Sequence, residues 1–276
     1  MSISILNNIP SLEAQNALSM TQNNLNNTLE QLSTGQRINS GADDAAGLAI
    51  ANGLQANITA LTQSVQNASD GVGFLQVADG ALSQITTLLN RAVTLATEAA
   101  TGTVSDTQRG ALDAEFTSIK SEIDTIGGNT TYNGQAIFTN NTLTIFMSDS
   151  TAAGTTSVTV GMVTVDSGHL NGASLTADNL TSAANATQAL TDINAAIADI
   201  AGLRGDLGAT SNQLQSATDV MNVQIQNLTN AESGIMSADI GQETSNLSKY
   251  SILQQTGIDA LQQANSMQQN VLKLFQ

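Results

Sequence analysis

The chain of 276 residues contains no Cys, so a disulfide framework and a thiolate metal site are both excluded. It has a single Pro, Pro10, and nothing beyond that point breaks a helix by that route. Aromatic residues make up 3% and Trp is absent. Compact cores lean on large rings for buried area. Here Leu, Ile, Val and Ala must supply it, which suits helix packed on helix. Positive charge is also scarce, with 7 Lys and Arg against 23 Asp and Glu and a net charge of −16. Phosphate recognition needs clustered cations, so nucleic acid is not an expected partner. A helix lying on an anionic membrane would need a basic face. No segment approaches the roughly 20 apolar residues of a membrane span. The opening MSISILNNIPSLEAQNALS has neither a basic start nor a continuous apolar core. A conventional secretory signal is therefore not expected, and export would need another route.

Catalytic chemistry has little material. The one His, His169, sits in the loop DSGHLNG. No H-E-x-x-H pattern accompanies it, and no Gly-rich loop carries a phosphate-binding Lys. No enzyme, metal site or cofactor is expected.

What the chain does carry is heptad periodicity. Steps of four and three from Ala51 reach Leu54, Ile58, Leu61, Val65, Ala68, Val72, Leu75, Asp79, Leu82, Thr86, Leu89, Val93 and Ala96. Only Asp79 and Thr86 break the apolar rule, which predicts a long coiled-coil helix. A shorter amphipathic segment, with Leu112, Phe116, Ile119, Ile123 and Ile126, is expected to stop at Gly127–Gly128. Residues 129–178 change character. NTLTIF at 141–146 and TSVTVGMVTV at 156–165 alternate with period two, predicting β-hairpins on the outside.

Helical spacing then returns through Leu190, Ile193, Ile197, Ile200, Arg204, Leu207, Ser211, Leu214, Thr218, Met221, Ile225 and Leu228. Two long helices flanking a β insertion are expected to lie antiparallel and share a core. The fold class is therefore mainly α, a long antiparallel coiled-coil bundle with a small hairpin-rich insertion. Near the start of the chain Leu18, Leu25 and Leu32 repeat every seventh residue. Near its end Leu253, Gly257, Ala260, Ala264, Met267, Val271 and Leu274 form a seam, flanked by a second apolar stripe. A helix apolar on more than one side needs more than one partner. Roughly the first forty and last forty residues are thus expected to be poorly ordered in a free monomer and to fold when neighbouring copies cover them.

Between the first two helical patterns lies QRINSGADDAAGLAIA, at 36–51. Arg37, Asn39 and Ser40 fall where one helix ends and the next begins. Ser40 or Asp43 is expected to cap the following helix, with Asp43 and Asp44 favoured by its positive end.

The run LEQLSTGQRINSGADDAAGLAIA closely resembles the N-terminal signature of bacterial flagellins. NASDGVGFLQVADGALSQI, TTYNGQAIF and, at the other end, TGIDALQQANSMQQNVLKLFQ resemble further parts of the same family. The resemblance implies a subunit that polymerises with copies of itself into an extracellular flagellar filament. Residues 1–42 with 234–276 would form an inner tube of paired terminal helices. Residues 43–138 with 179–233 would form an outer helical tube, and residues 139–178 a surface insertion. Arg37, Asn39, Ser40, Asp43 and Asp44 would belong to the linker between the tubes. It further implies type III export, a chaperone on the C-terminal helix, and cap and hook-junction proteins as partners. Some family members are sensed by an animal Toll-like receptor, and the matching positions here are Arg91, Leu95 and Glu115. Two other readings stay open at this point: a hook–filament junction protein of the same family, and a secreted helical adhesin or binding protein.

Overall fold

The computed structural model describes residues 8–148 and 157–273, with side chains up to residue 270. Five helices dominate them: α1 (Ile9–Thr34), α2 (Ala45–Ala100), α3 (Asp106–Asn129), α4 (Ala183–Met236) and α5 (Ile240–Lys273). Between α3 and α4 lie three short antiparallel hairpins. They are β1 (Thr131–Tyr132) with β2 (Gln135–Ala136), β3 (Thr142–Phe146) with β4 (Ser157–Gly161), and β5 (Val165–Asp166) with β6 (His169–Leu170). The chain divides into two units. One takes Met1–Ala56 and Asn227–Gln276, the other Asn57–Gln226.

In the first unit α1 packs on α5. Asn8 caps α1 by accepting from the Ser11 amide, and Pro10 sits in its first turn, where no amide donor is needed. The helix ends at Gly35, whose φ of 71° is the left-handed conformation that favours glycine. Gln254 Nε2 donates to Gln22 Oε1 at 2.6 Å, and Ser11 Oγ donates to Asn265 Oδ1 at 3.0 Å. Rising numbers on α1 thus meet falling numbers on α5, so the pair is antiparallel. In the described residues α1 and α5 are each helical and cover one face of each other.

The second unit holds the main core. Gly71 of α2 faces Leu214 of α4, and Asp79 faces Arg204, so these helices are also antiparallel. The heptad column Leu61, Ala68, Leu75, Leu82, Leu89, Ala96 is buried. Its companion column is not the expected one. Ser64, Gly71, Ala78, Ile85, Ala92 and Ala99 are buried, whereas Val65, Val72, Asp79, Thr86 and Val93 are half-buried at the margin. The same displacement occurs on α4, where Ala189, Ala196 and Leu203 are buried and Ile197 and Arg204 are marginal. Small side chains hold most positions on this buried line, with Ile85 and Leu203 the large members, and other large side chains flank it.

The two charged exceptions to the heptad rule, Asp79 on α2 and Arg204 on α4, bind each other. Arg204 Nε and Nη2 donate to the two carboxylate oxygens at 2.7 and 3.2 Å.

α3 opens with a capping box, in which Ser105 and Gln108 each satisfy the other's backbone amide. It does not stop at Gly127–Gly128 but continues to Asn129. The reason is packing. A Cβ on Gly127 would collide with the Val165 carbonyl, so the glycine lets β5 lie directly on the helix. In β3 and β4, Ile145, Val158 and Val160 point inward and the alternate residues point out, as period two requires.

Candidate assembly surface

The predicted terminal seam falls on two different faces. Leu25 is buried, and Leu18 and Leu32 are half-buried, in the line of α1 that faces α5. Leu18 reaches across the pair: a Cβ added to Gly257 would lie 3.2 Å from its Cδ1. On α5 the half-buried line runs Tyr250, Gln254, Gly257, Leu261, Ala264 and Gln268. Gly257 and Ala264 therefore belong to the intrachain contact. Leu253, Ala260 and Met267 do not, and stand open; Leu253 is 43% exposed and Met267 61%. Ile252, at 64% exposure, stands beside them, and Ile9, Leu12, Met20 and Leu29 are exposed on α1. The side chain of Val271, and Leu274 altogether, lie outside the described residues. Sequence reading missed the polar members of the intrachain line. Asn8 Nδ2 donates to the Ala264 carbonyl at 3.2 Å and to Gln268 Oε1 at 3.0 Å. The spacing of Gln254, Leu261 and Gln268 by sevens was the available signal.

The linker after α1 is built on carboxylates and one guanidinium. Asp43 Oδ2 accepts from the Asn39 amide at 3.1 Å, the Ser40 amide at 2.8 Å and Ser40 Oγ at 3.1 Å. These bonds, the Ser40 amide first, hold its carboxyl below the usual carboxylate range. Asp43 therefore closes the turn behind it and does not cap α2. The cap is Asp44, whose Oδ1 accepts from the Gly47 amide at 2.9 Å. Ile38 is buried against Gly47, where an added Cβ would come within 2.8 Å of Ile38 Cδ1. Arg37 points to the end of α4, donating from Nη2 to the Ile235 carbonyl at 2.8 Å. The connection before α5 is capped in the same manner, with Asp239 Oδ1 accepting from Gly241 and Gln242 amides at 2.9 and 3.1 Å.

In the second unit Arg91 Nε and Glu115 Oε1 are 2.7 Å apart, with side chains 54% and 45% exposed. The bond raises the Arg91 pKa and lowers that of Glu115. Leu95, on the same stretch of α2, is buried at 1% exposure. Arg109 was not anticipated. It is buried and donates to the Ala99 and Thr101 carbonyls at 2.8 and 3.1 Å, which closes the C-terminus of α2.

His169 is exposed and pairs with Asp166 at 3.0 Å. Among the described residues no group of three or more His, Cys, Asp or Glu is arranged to hold a metal ion. No helix among them is long and apolar enough to cross a membrane. An open cleft of about 540 Å³ lies among Phe74, Ile137, Leu143 and Met162, and none of its lining residues is an acid, a His or a base.

The family model for the bacterial flagellin N-terminal helical region matches residues 5–142, and that for the C-terminal helical region matches residues 190–275. A flagellin of Halalkalibacterium halodurans is 31% identical over 98% of this chain and 99% of its own. Flagellin FlaB2 of Treponema pallidum is 32% identical, again over 98% and 99%. A flagellar filament 30.7 kDa core protein of Treponema maltophilum is 30% identical over the same shares. Among solved structures, Bacillus cereus flagellin superposes with a TM-score of 0.50 at 30% identity, over 56% of this chain and 88% of that one. The structure of a putative flagellar hook-associated protein from Vibrio parahaemolyticus shares the fold, with a TM-score of 0.58 at 14% identity, over 71% of this chain and 100% of that one. Two end regions matched in order, and relatives matched along nearly their whole length, place this chain in the bacterial flagellin family.

Proposed function

We propose that the chain is the repeating subunit of a bacterial flagellar filament, assembled outside the cell from copies of itself. The observation that carries this reading is the open apolar face of the terminal pair. Ile9, Leu12 and Met20 on α1, and Ile252, Leu253 and Met267 on α5, stand in solvent in the single chain. Each large apolar side chain gains about 1.5–3 kcal/mol when fully buried. Contacts of this kind, repeated between copies along a symmetric helix that does not close, produce a filament. A motor turning such a supercoiled polymer converts rotation into thrust. One relative bears the name of a filament core protein, and the near full-length relatives named flagellin favour this role over a hook junction or an adhesin.

Within the filament, residues 1–42 with 234–276 act as the inner tube. Residues 43–138 with 179–233 act as the outer tube, and residues 139–178 as the surface insertion. The linker residues Arg37, Asn39, Ser40, Asp43 and Asp44 join the tubes. Type III export, a chaperone masking α5, and contacts to cap and hook-junction proteins follow from the family resemblance. So does sensing by a Toll-like receptor, for which Arg91 and Glu115 are the accessible groups and Leu95 is covered. Electron microscopy of the purified chain before and after seeding tests the role. Long filaments growing from seeds are expected. A chain that stays dispersed at every concentration contradicts the filament role.

A further inference from the structure

We infer that Arg37 is a latch between the two connections of the first unit, fastening the one after α1 to the one before α5. This inference deepens the filament reading and is supported by geometry that stands without it. The connections touch along an isolated antiparallel bridge between Gln36 and Ser237. Two backbone bonds hold it: the Arg37 amide donates to the Met236 carbonyl at 2.6 Å, and the Ala238 amide to the Gly35 carbonyl at 3.0 Å. A single bridge is too small to persist alone, since an isolated hairpin is marginal in water even with more pairs.

The Arg37 side chain adds what the bridge lacks. α4 ends at Met236 with no basic residue in its last turn. Its final carbonyls therefore have no helical donor, and the partial negative charge there has no cation in its own sequence. The Arg37 guanidinium supplies both, directing Nε and Nη2 at the Ile235 carbonyl from 3.3 and 2.8 Å. Through its amide and its side chain together, one residue satisfies the last two carbonyls of α4. Its own carbonyl accepts from Gln31 Nε2 at 2.9 Å, which fixes the latch to the last turns of α1. The next residue, Ile38, is seated in the notch at Gly47 and anchors the same segment to the start of α2. The ends of α1, α4 and α2 thus converge on residues 36–38, and the bridge from Gln36 to Ser237 ties in the segment that leads to α5. A displacement of one connection must carry the other with it, and in a polymer this makes the two chain crossings a single mechanical part.

The latch is tested by hydrogen exchange on the full chain, read at the amides of residue 37 and Ala238. Arg37→Ala and Arg37→Lys are compared with the parent, both dispersed and after seeding. A charged hydrogen bond at this site predicts about tenfold faster exchange at both amides in R37A. R37K should fall between, because a compact ammonium keeps the charge but lacks the planar fork that aims two N–H groups at the Ile235 carbonyl. Amides of the α2 core at Leu82 and Leu89 should keep the parent rates, which separates a lost latch from a lost fold. Equal rates at residue 37 and Ala238 in parent and R37A would overturn the latch. Failure of the parent chain to elongate on seeds would instead refute the filament role, with the dispersed-chain rates still deciding the latch.

Discussion

Three of the chain's few cations donate to backbone carbonyls instead of a surface carboxylate alone: Arg37 to Ile235, Arg109 to Ala99 and Thr101, and Lys120 to Asp178 at 2.7 Å. The last lies beside an uncompensated acid. Asp178 Oδ2 is buried without a hydrogen-bond partner. Its carboxyl faces that of Asp192, and the two can share a hydrogen bond only when one carries a proton. Burial first, and then repulsion from Asp192, push the Asp178 pKa up, with Lys120 opposing. The folded state therefore takes up this proton at a pH where the unfolded chain does not. The residue weakens the fold above its raised pKa, and the penalty is relieved as pH falls through that value towards the ordinary carboxylate pKa. Asp178→Asn should raise Tm at pH 7, by no more than about 2 °C because solvent screens this partly exposed group. The gain should shrink in melts at acidic pH. No sequence pattern revealed this pair, because residues 178 and 192 meet only through the return of the loop onto α4. Asp79 and Arg204, in contrast, were visible as two violations of an apolar rule. What could not be seen was that the violations face each other.

Helices were readable to within a few residues where large side chains recur every seventh position. The second column of each long helix was not, because steps of three and four return to neighbouring sides of the same face. Val65, Val72 and Val93 look more like core than Ser64, Gly71 and Ala92, yet the small residues are the ones covered. Hydropathy ranks burial by size, while the spacing between helices is set by the smallest residues on the contact line. The glycine pair at the end of α3 shows the same limit. Gly127 admits the β5 backbone, whereas nothing lies within 4 Å of a Cβ on Gly128. Gly127→Ala should therefore push β5 from the helix and cost about 1–3 kcal/mol by overpacking. Gly128→Ala should be neutral or stabilising by a few tenths up to about 1 kcal/mol. Urea melts of the two variants make the comparison; equal effects would show that the helix–strand contact does not depend on Gly127. The caps divide similarly. An Asx-rich linker was legible as a break, but assigning the cap to Asp44 and the preceding turn to Asp43 required their amide partners.

At the scale of the whole molecule, charge and apolar surface act in opposite directions on assembly. Copies carrying −16 repel one another, and most described cations are already engaged within the chain. Screening should then dominate the electrostatics of polymerisation. The critical concentration for seeded growth is expected to fall steadily from about 0.01 to 0.15 M salt, as the Debye length shortens from roughly 30 to 8 Å. Sedimentation of polymer against ionic strength measures this, and a rise with salt would point to ion pairs between copies.

The attraction opposing that repulsion is assigned to the open side of α1 and α5, and Leu253 and Met267 allow the assignment to be tested. Both lie off the intrachain line, so a charge there leaves the single chain intact, yet buried between copies it costs several kcal/mol. The decisive measurement is the rate of seeded elongation for Leu253→Asp and Met267→Asp, taken beside the thermal melt of each dispersed variant. The predicted result is a parental melt with elongation abolished in both. Parental elongation in both variants would contradict the account.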